Sequence, residues 1–332
     1  MHKLKYFLSR IIQLIPMMLF ATFITYMLME LAPGDNVALM WVNPKQMRAT
    51  PEVLQAIKEK FGLNGPWYVR YFQWLRQLLQ GNMGYSLISM RPVSWEISHR
   101  IGPSILLIFI SQIVTYGTGI ILGVLAAVKQ NKLADRVIST INYITMSLPS
   151  TWTNLMILLI FTVKLKWFPS MGLHDLTLKN PNGWEYVMDT VKHMVLPVLC
   201  MSIISFGNVA RLMRGSFLEV KNQDYVRTAR AKGVSERNIN WHHVFRNSSL
   251  LVVSNFAATL PTLILQTTLI ETVFGIPGLG GYVATAAINR DYPAAMISIL
   301  LTALLSMTGT ILADFTMTLI DPRISFSRKR WK

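Results

Sequence analysis

The run PSILLIFISQIVTYGTGIILGVLAAV, residues 103–128, holds no Asp, Glu, Lys or Arg in 26 positions. A helix rises ~1.5 Å per residue, so this run exceeds the ~30 Å hydrocarbon core of a bilayer. Lipid offers no partner to a backbone N–H or C=O, and a helix satisfies both internally; the run therefore reads as a membrane-crossing helix. Five further windows free of those four residue types lie at 11–29, 137–163, 194–210, 247–270 and 292–313. The 194–210 window is short and extends to Met213 if Arg211 snorkels toward the surface.

The composition agrees. Of 332 residues, 52% are hydrophobic and only 14% charged, and the mean hydropathy is +0.38. These values exclude a soluble globular domain. The net charge of +16 raises nucleic acid as a partner, but the basic residues are distributed by topology. Segments 1–10, 129–136, 211–246 and 321–332 carry 19 of the 32 Lys and Arg in 66 residues. Short positive loops stay inside, which predicts six spans with both termini inside. The excess charge then meets anionic lipid headgroups, and no nucleic-acid partner is expected. The first window exceeds a usual signal core, and Glu30-Leu31-Ala32-Pro33-Gly34-Asp35 is a poor cleavage site, so it is read as a retained helix. The lone Cys200 excludes an internal disulfide and a cysteine-based metal site.

Pro149, Pro197 and Pro261 fall inside windows, where each removes a donor and is expected to kink its helix. Gln112, Asn142, Asn154, Asn208, Asn255 and Gln266 are costly against lipid and are expected to face the bundle or an aqueous path. Gly119 and Gly123 form a small-xxx-small pair that permits close helix approach. The outer segment after the first window has the pattern of short capped helices. Thr50 precedes Pro51, with Val53, Ile57 and Phe61 on one face and Gly62 closing it. Trp67, Tyr71, Trp74 and Leu78 follow a helical spacing that ends at Gly81, an aromatic face suited to the membrane surface or to packing on the bundle.

The inner segment 211–246 is the most informative. After Asn222-Gln223-Asp224, a helix start, come Tyr225-Val226-Arg227-Thr228-Ala229-Arg230-Ala231-Lys232 and the break Gly233; Ser235 then opens a second short helix with Ile239 and Phe245. A helix, a glycine turn and a helix between two spans form a lever. No Gly-Lys-Ser/Thr phosphate loop, His-Glu-x-x-His helix or intramembrane ionisable relay accompanies it. The histidines, including the adjacent His242 and His243, show no metal-ligand spacing. A stand-alone transporter or channel is the competing class, with Asp314 beyond the last window its best ionisable group.

The stretch Tyr225 to Gly233, followed by His243 and Arg246-Asn247, resembles the coupling-loop signature of ABC-transporter permeases in the dipeptide, oligopeptide and nickel importer branch. Leu31-Ala32-Pro33-Gly34-Asp35, Gly81-Asn82-Met83-Gly84-Tyr85-Ser86, Arg100-Ile101-Gly102-Pro103-Ser104, Glu271 through Gly280, Asn289-Arg290-Asp291-Tyr292-Pro293 and Asp321-Pro322-Arg323 are similar to the same branch. Arg227-Thr228-Ala229 stands where the wider superfamily has Glu-Ala-Ala, Leu251 where the branch often has proline, and Gln266-Thr267-Thr268 where glycine is commoner.

The resemblance implies an all-α, type I ABC importer transmembrane fold. Residues 1–94 would hold the first span and an external helical segment, 95–322 the permease core with a coupling helix at 224–245, and 323–332 a basic tail. It implies a prokaryotic cell-membrane, multi-pass chain with four kinds of partner: a second homologous permease, two cytosolic ATPases, an extracytoplasmic solute-binding protein and membrane lipid. ATP and Mg would be bound in the ATPases, with no cofactor, metal or catalytic residue in this chain. Asp224, Tyr225, Arg227, Ala229, Ala231, Lys232, Gly233, His243 and Arg246 would meet the ATPase. Gln266, Glu271, Phe274, Pro277 and Gly278 are candidates for pathway or gate. Short peptides are the expected cargo, with nickel or metal chelates and glutathione as alternatives in the same branch.

Overall fold

The computed structural model describes residues 2–34, 36–43, 50–175, 177 and 182–320; Asp35, Asp321-Pro322-Arg323 and the basic tail lie outside them, as does the Asp314 side chain. In chain order the helices are α1 (His2–Leu31), α2 (Asn36–Leu39), α3 (Pro51–Lys60), α4 (Trp67–Leu79), α5 (Val93–Val128), α6 (Leu133–Ser147) and α7 (Ser150–Leu158). They continue with α8 (Gly183–Lys221), α9 (Asp224–Ala231), α10 (Glu236–Asn238), α11 (Arg246–Thr259), α12 (Leu263–Phe274), α13 (Leu279–Ile288) and α14 (Tyr292–Ile320). π-Helical turns follow α7 at Leu159–Lys164 and join α10 to α11 at Ile239–Phe245, and a 3₁₀ turn, Leu260–Thr262, joins α11 to α12.

Four helices among the described residues are long and apolar enough to cross a membrane: α5, α8, the continuous Glu236–Phe274 and Tyr292–Ala313. The 137–163 window is not one straight rod. It is a pair, Leu133–Ser147 and Ser150–Lys164, bent by 102°, which makes five if the pair is one span. The break falls where Pro149 lacks an N–H and forces Leu148 into extended backbone. Pro197 stays inside an unbroken α8, and Pro261 sits in the 3₁₀ turn. Ile15–Leu31 of α1 is a shorter apolar helix.

The chain packs as two units. The first comprises residues through Leu106 together with Ile264–Thr308. Its core joins Tyr26 and Met29 of α1, Ile57 of α3, Tyr71 and Trp74 of α4, Val93 and Ile97 of α5, Leu279 and Tyr282 of α13, and Ala294 and Leu300 of α14. Helices α3 and α4 form as their sequence dictates. Thr50 Oγ1 accepts from the Val53 N–H at the start of α3, and Gly62 and Gly81 follow α3 and α4 in left-handed backbone. The aromatic face of α4 packs on α1 through Phe23, Tyr26, Tyr71 and Trp74.

The second unit comprises Leu107–Leu263 and the chain from Gly309 onward. Half of the most apolar stretch of α8 is buried, and α8 packs against α6, α7 and α11. Gly119 and Gly123 bring α5 onto α8. A β-carbon at Gly123 would lie 2.6 Å from the Ala210 carbonyl oxygen, and one at Gly119 would lie 2.7 Å from Val209 Cβ. Arg214 of α8 makes a bidentate pair with Asp135 of α6 at 2.7 and 2.8 Å, and the Asn131 N–H donates to the same carboxylate at 2.9 Å. Of the intramembrane amides, Asn142 and Asn154 are buried, whereas Asn208, Asn255 and Gln266 are exposed on this chain. Asn255 accepts from the Tyr116 hydroxyl at 3.0 Å.

Substituting Gly123→Ala forces a backbone shift and is expected to cost about 1–3 kcal/mol. Thermal unfolding in detergent should show a lowered Tm for Gly123→Ala and none for Gly102→Ala, where a β-carbon meets nothing within 4 Å. Equal Tm values for the two variants would contradict the close packing of α5 on α8.

Candidate functional site

Two assemblies contain the residues that the sequence singled out. In the first, α8 ends at Lys221, and the chain turns through Asn222 and Gln223 into the eight residues of α9. Asp224 occupies the first turn, where an acidic side chain complements the helix dipole. Gly233 ends α9 with φ +80°. Its N–H donates to the Arg230 carbonyl at 3.0 Å and the Val234 N–H to the Ala229 carbonyl at 3.3 Å, the paired bonds of a Schellman turn. A β-carbon at Gly233 would meet no atom within 4 Å, so glycine is required there by conformation and not by space. Arg230 and Glu236 close an ion pair across the turn. Ser235 begins the next helix without a side-chain cap. That helix is not the short one its sequence suggested: with no glycine from Val234 to Phe274, it runs unbroken to Phe274.

α9 is anchored on one side only. Val226 is fully buried, and Ala229 and Val234 pack beside it, in a core with Ala127 of α5, Met213 and Phe217 of α8, Ile239 and Val244 of the π turn, and Val252 of α11. Tyr225, Arg227, Thr228, Arg230, Ala231, Lys232 and Gly233 are exposed. Asn247 donates to the Tyr225 hydroxyl at 2.9 Å and to the His243 carbonyl at 3.2 Å, tying α9 to the start of α11. His243 is half-buried and Arg246 exposed. The Asp224–Arg227 pair, 3.5 Å apart and open to solvent, adds little stability. The arrangement is a short helix with an apolar root and a polar, exposed opposite face, packed against the adjoining ends of α5, α8 and α11.

The second assembly is the turn between α12 and α13. Glu271 is buried. It accepts from the Ser104 hydroxyl of α5 at 2.6 Å and from the Gly281 N–H at 2.7 Å, while the Leu279 N–H donates to Ser104 Oγ at 2.8 Å. The carboxylate therefore sits at the N-terminus of α13, where free N–H groups and the dipole favour it. Gly275, at φ +59°, turns the chain, and a β-carbon at Gly278 would overlap the Glu271 carboxyl group. Phe274 is buried, Pro277 exposed, and Gln266 lies exposed on α12. At the far end of α13, Asp291 accepts from the Ser86 hydroxyl and from the N–H groups of Leu87 and Ala294. Arg100 lies over the Tyr282 ring, 4.5 Å from its centroid, and pairs with Glu96. α13 is thus fixed at both ends and along its side.

Among the described residues, no three His, Cys, Asp or Glu side chains are grouped to hold a metal ion. The Ser104–Glu271, Ser86–Asp291 and Asp135–Arg214 contacts escape sequence reasoning because their partners lie 167, 205 and 79 positions apart. No local spacing signals them.

The family model described as binding-protein-dependent transport system inner membrane component matches residues 119–326, and the model of its N-terminal part matches residues 3–96. The oligopeptide transport system permease protein AppB of Bacillus subtilis is 34% identical over 322 residues, covering 97% of this chain and 99% of that protein. A putative peptide permease protein of Brucella ovis is 37% identical with the same coverage. A solved inward-facing structure of the MetNI methionine ABC transporter aligns with a TM-score of 0.54 at 17% identity, over 68% of this chain and 97% of that one; at that identity the likeness shows the fold, a type I importer fold.

Gly278→Ala drives a methyl group into the Glu271 carboxylate, and Glu271→Ala removes the partner of Ser104 and Gly281; each is expected to cost about 1–3 kcal/mol. The double variant should lose less than the sum, because the clash is gone. Detergent thermal unfolding of the three variants measures this, and strict additivity would contradict the contact.

Proposed function

The chain belongs to the family of binding-protein-dependent transport system inner membrane components, and from that membership we propose that it forms half of the translocation pathway of an ATP-driven importer of short peptides. The peptide assignment is supported by two relatives of near-full-length coverage, an oligopeptide transport permease and a putative peptide permease. In this reading six spans cross a prokaryotic cell membrane with both termini inside: α1, α5, the bent α6–α7 pair, α8, Glu236–Phe274 and α14. A second homologous permease completes the pathway, and a solute-binding protein delivers cargo from outside. Two cytosolic ATPases bind ATP and Mg and perform the hydrolysis.

The observation that carries the mechanism is the one-sided anchoring of α9. An ATPase that grips the exposed Tyr225, Arg227, Ala231 and Lys232 face pulls on Val226. That residue is locked among Phe217, Ile239, Val244 and Val252. Close-packed side chains transmit displacement without absorbing it, so the pull reaches the inner ends of α5, α8 and α11 together. Gly233 keeps the turn tight, and the Arg230–Glu236 pair holds its two arms. At the other end of the fifth span, the Glu271 turn fixes α13 as a stop or gate to the pathway.

Replacing Gly233 by Leu places a β-carbon in left-handed backbone at a cost of about 1–2 kcal/mol, enough to favour another turn. Peptide uptake into proteoliposomes holding the whole complex should fall by about tenfold or more, while insertion and the yield of this chain stay unchanged. Uptake at the parent rate would overturn the lever.

A further inference from the structure

The apolar arc of α4 is wider than the face that α1 covers. Trp67, Tyr71, Trp74 and Leu78 form the side that includes the buried contacts with α1. A second row, Tyr68, Phe72, Leu75 and Leu79, repeats at spacings of four, three and four, and so lines an adjoining stripe. Tyr68 is 51% exposed, Phe72 63% and Leu79 80%. Arg70, Gln73 and Gln77, each half-buried, lie on the side away from this stripe, and the exposed Arg76, one turn after Phe72, borders it with a side chain long enough to snorkel to the headgroups.

The contacts with α1 set the depth of this stripe. The Tyr71 hydroxyl lies 2.9 Å from Thr22 Oγ1 and donates to the Leu19 carbonyl at 3.4 Å. The Trp67 ring lies 6.0 Å from Phe23, and Trp74 5.7 Å from Tyr26. Arg70 pairs with Glu30, the first charged residue after the apolar window. Leu19 precedes Glu30 by eleven residues, hence by ~16 Å along the helix, about half of a ~30 Å hydrocarbon core. The contacts of α4 therefore run from the Glu30 level into the outer half of the span.

We infer that α4 is embedded in the outer leaflet, with Tyr68, Phe72 and Leu79 against lipid, its Arg70 neutralised by Glu30 and its Gln73 side turned away from the acyl chains. The partner is the bilayer itself, and the helix acts as an anchor beside α1. Aromatic side chains suit this boundary, where a ring is buried and a polar tip reaches the headgroups. The inference rests on α1 spanning the membrane with its Glu30 end outside.

The test is spin labelling of the full complex in nanodiscs. Single cysteines replace Phe72 (Phe72→Cys), Gln73 (Gln73→Cys) and, on the exposed side of α1, Phe20 (Phe20→Cys); the native Cys200 is buried and stays. Collision with oxygen, which concentrates in lipid, is compared with collision with a water-soluble nickel chelate. The expected result is an oxygen-to-nickel ratio several-fold higher at 72 than at 73, with 20 high as well. A nickel-accessible label at 72 would overturn the inference, as would one shielded from both reagents, which would mean that protein covers the stripe. A water-exposed label at 20 would instead refute the span reading on which the inference stands. Phe72→Lys, read by detergent-free thermal stability in the same nanodiscs, gives a second measure: it should lower the midpoint, and Gln73→Lys should not. Equal midpoints for the two lysine variants would count against lipid contact.

Discussion

Hydrocarbon cannot accept or donate a hydrogen bond, and most features of this chain follow from that. Every backbone group at membrane depth must find its partner within the protein. Long uninterrupted helices meet the requirement at once, as α5 and α8 do. Where the helices break, the chain supplies substitutes. At Pro149 the missing N–H coincides with the 102° bend between α6 and α7. At the α12–α13 turn, the Ile276 N–H returns to the Glu271 carbonyl, and the Glu271 carboxylate and Ser104 hydroxyl take the free N–H groups that open α13. A buried carboxylate is costly alone. Here it is held by groups that would otherwise lack acceptors, so each offsets the burial of the other.

The same economy of polar groups shapes α9. α9 gives the core only Val226 in full, with Ala229 partly buried, and keeps its charges outside. The contacts that hold it are apolar and dense, while its other face stays exposed. Glycine has two different uses in this molecule. Gly119 and Gly123 matter because a side chain would collide with α8. Gly233 matters because its backbone lies in the left-handed region, with empty space around it. The proposed lever needs both: rigid helix packing to carry motion, and a tight turn to receive it.

Much of this architecture was legible in the sequence, because the signals concerned are local. Charge-free windows mark the long helices, Thr50-Pro51 and Gly62 bracket α3, and Gly233 closes α9. The aromatic spacing of α4 marked an apolar face suited either to the membrane surface or to packing, and the structure packs part of it on α1. What could not be read depends on residues far apart in the chain. Glu271 stood out as part of a motif, but its bond to Ser104 has no local signature, nor has Asp135 with Arg214 or Asp291 with Ser86. The expected short helix after Ser235 proved continuous with Glu236–Phe274, since a capping residue signals a start and says nothing about length. The intramembrane amides divided between buried and exposed, a choice made by neighbouring helices and not by periodicity.

The central claim is that this chain works as the membrane half-pathway of an importer whose energy comes from other subunits. Affinity purification of the chain from its native membranes in mild detergent, with co-purifying proteins identified and ATP hydrolysis assayed, tests it most directly. The account predicts recovery of a second permease and of ATPases whose hydrolysis accompanies the complex. Recovery of this chain alone, moving solute in liposomes without ATP, would contradict it.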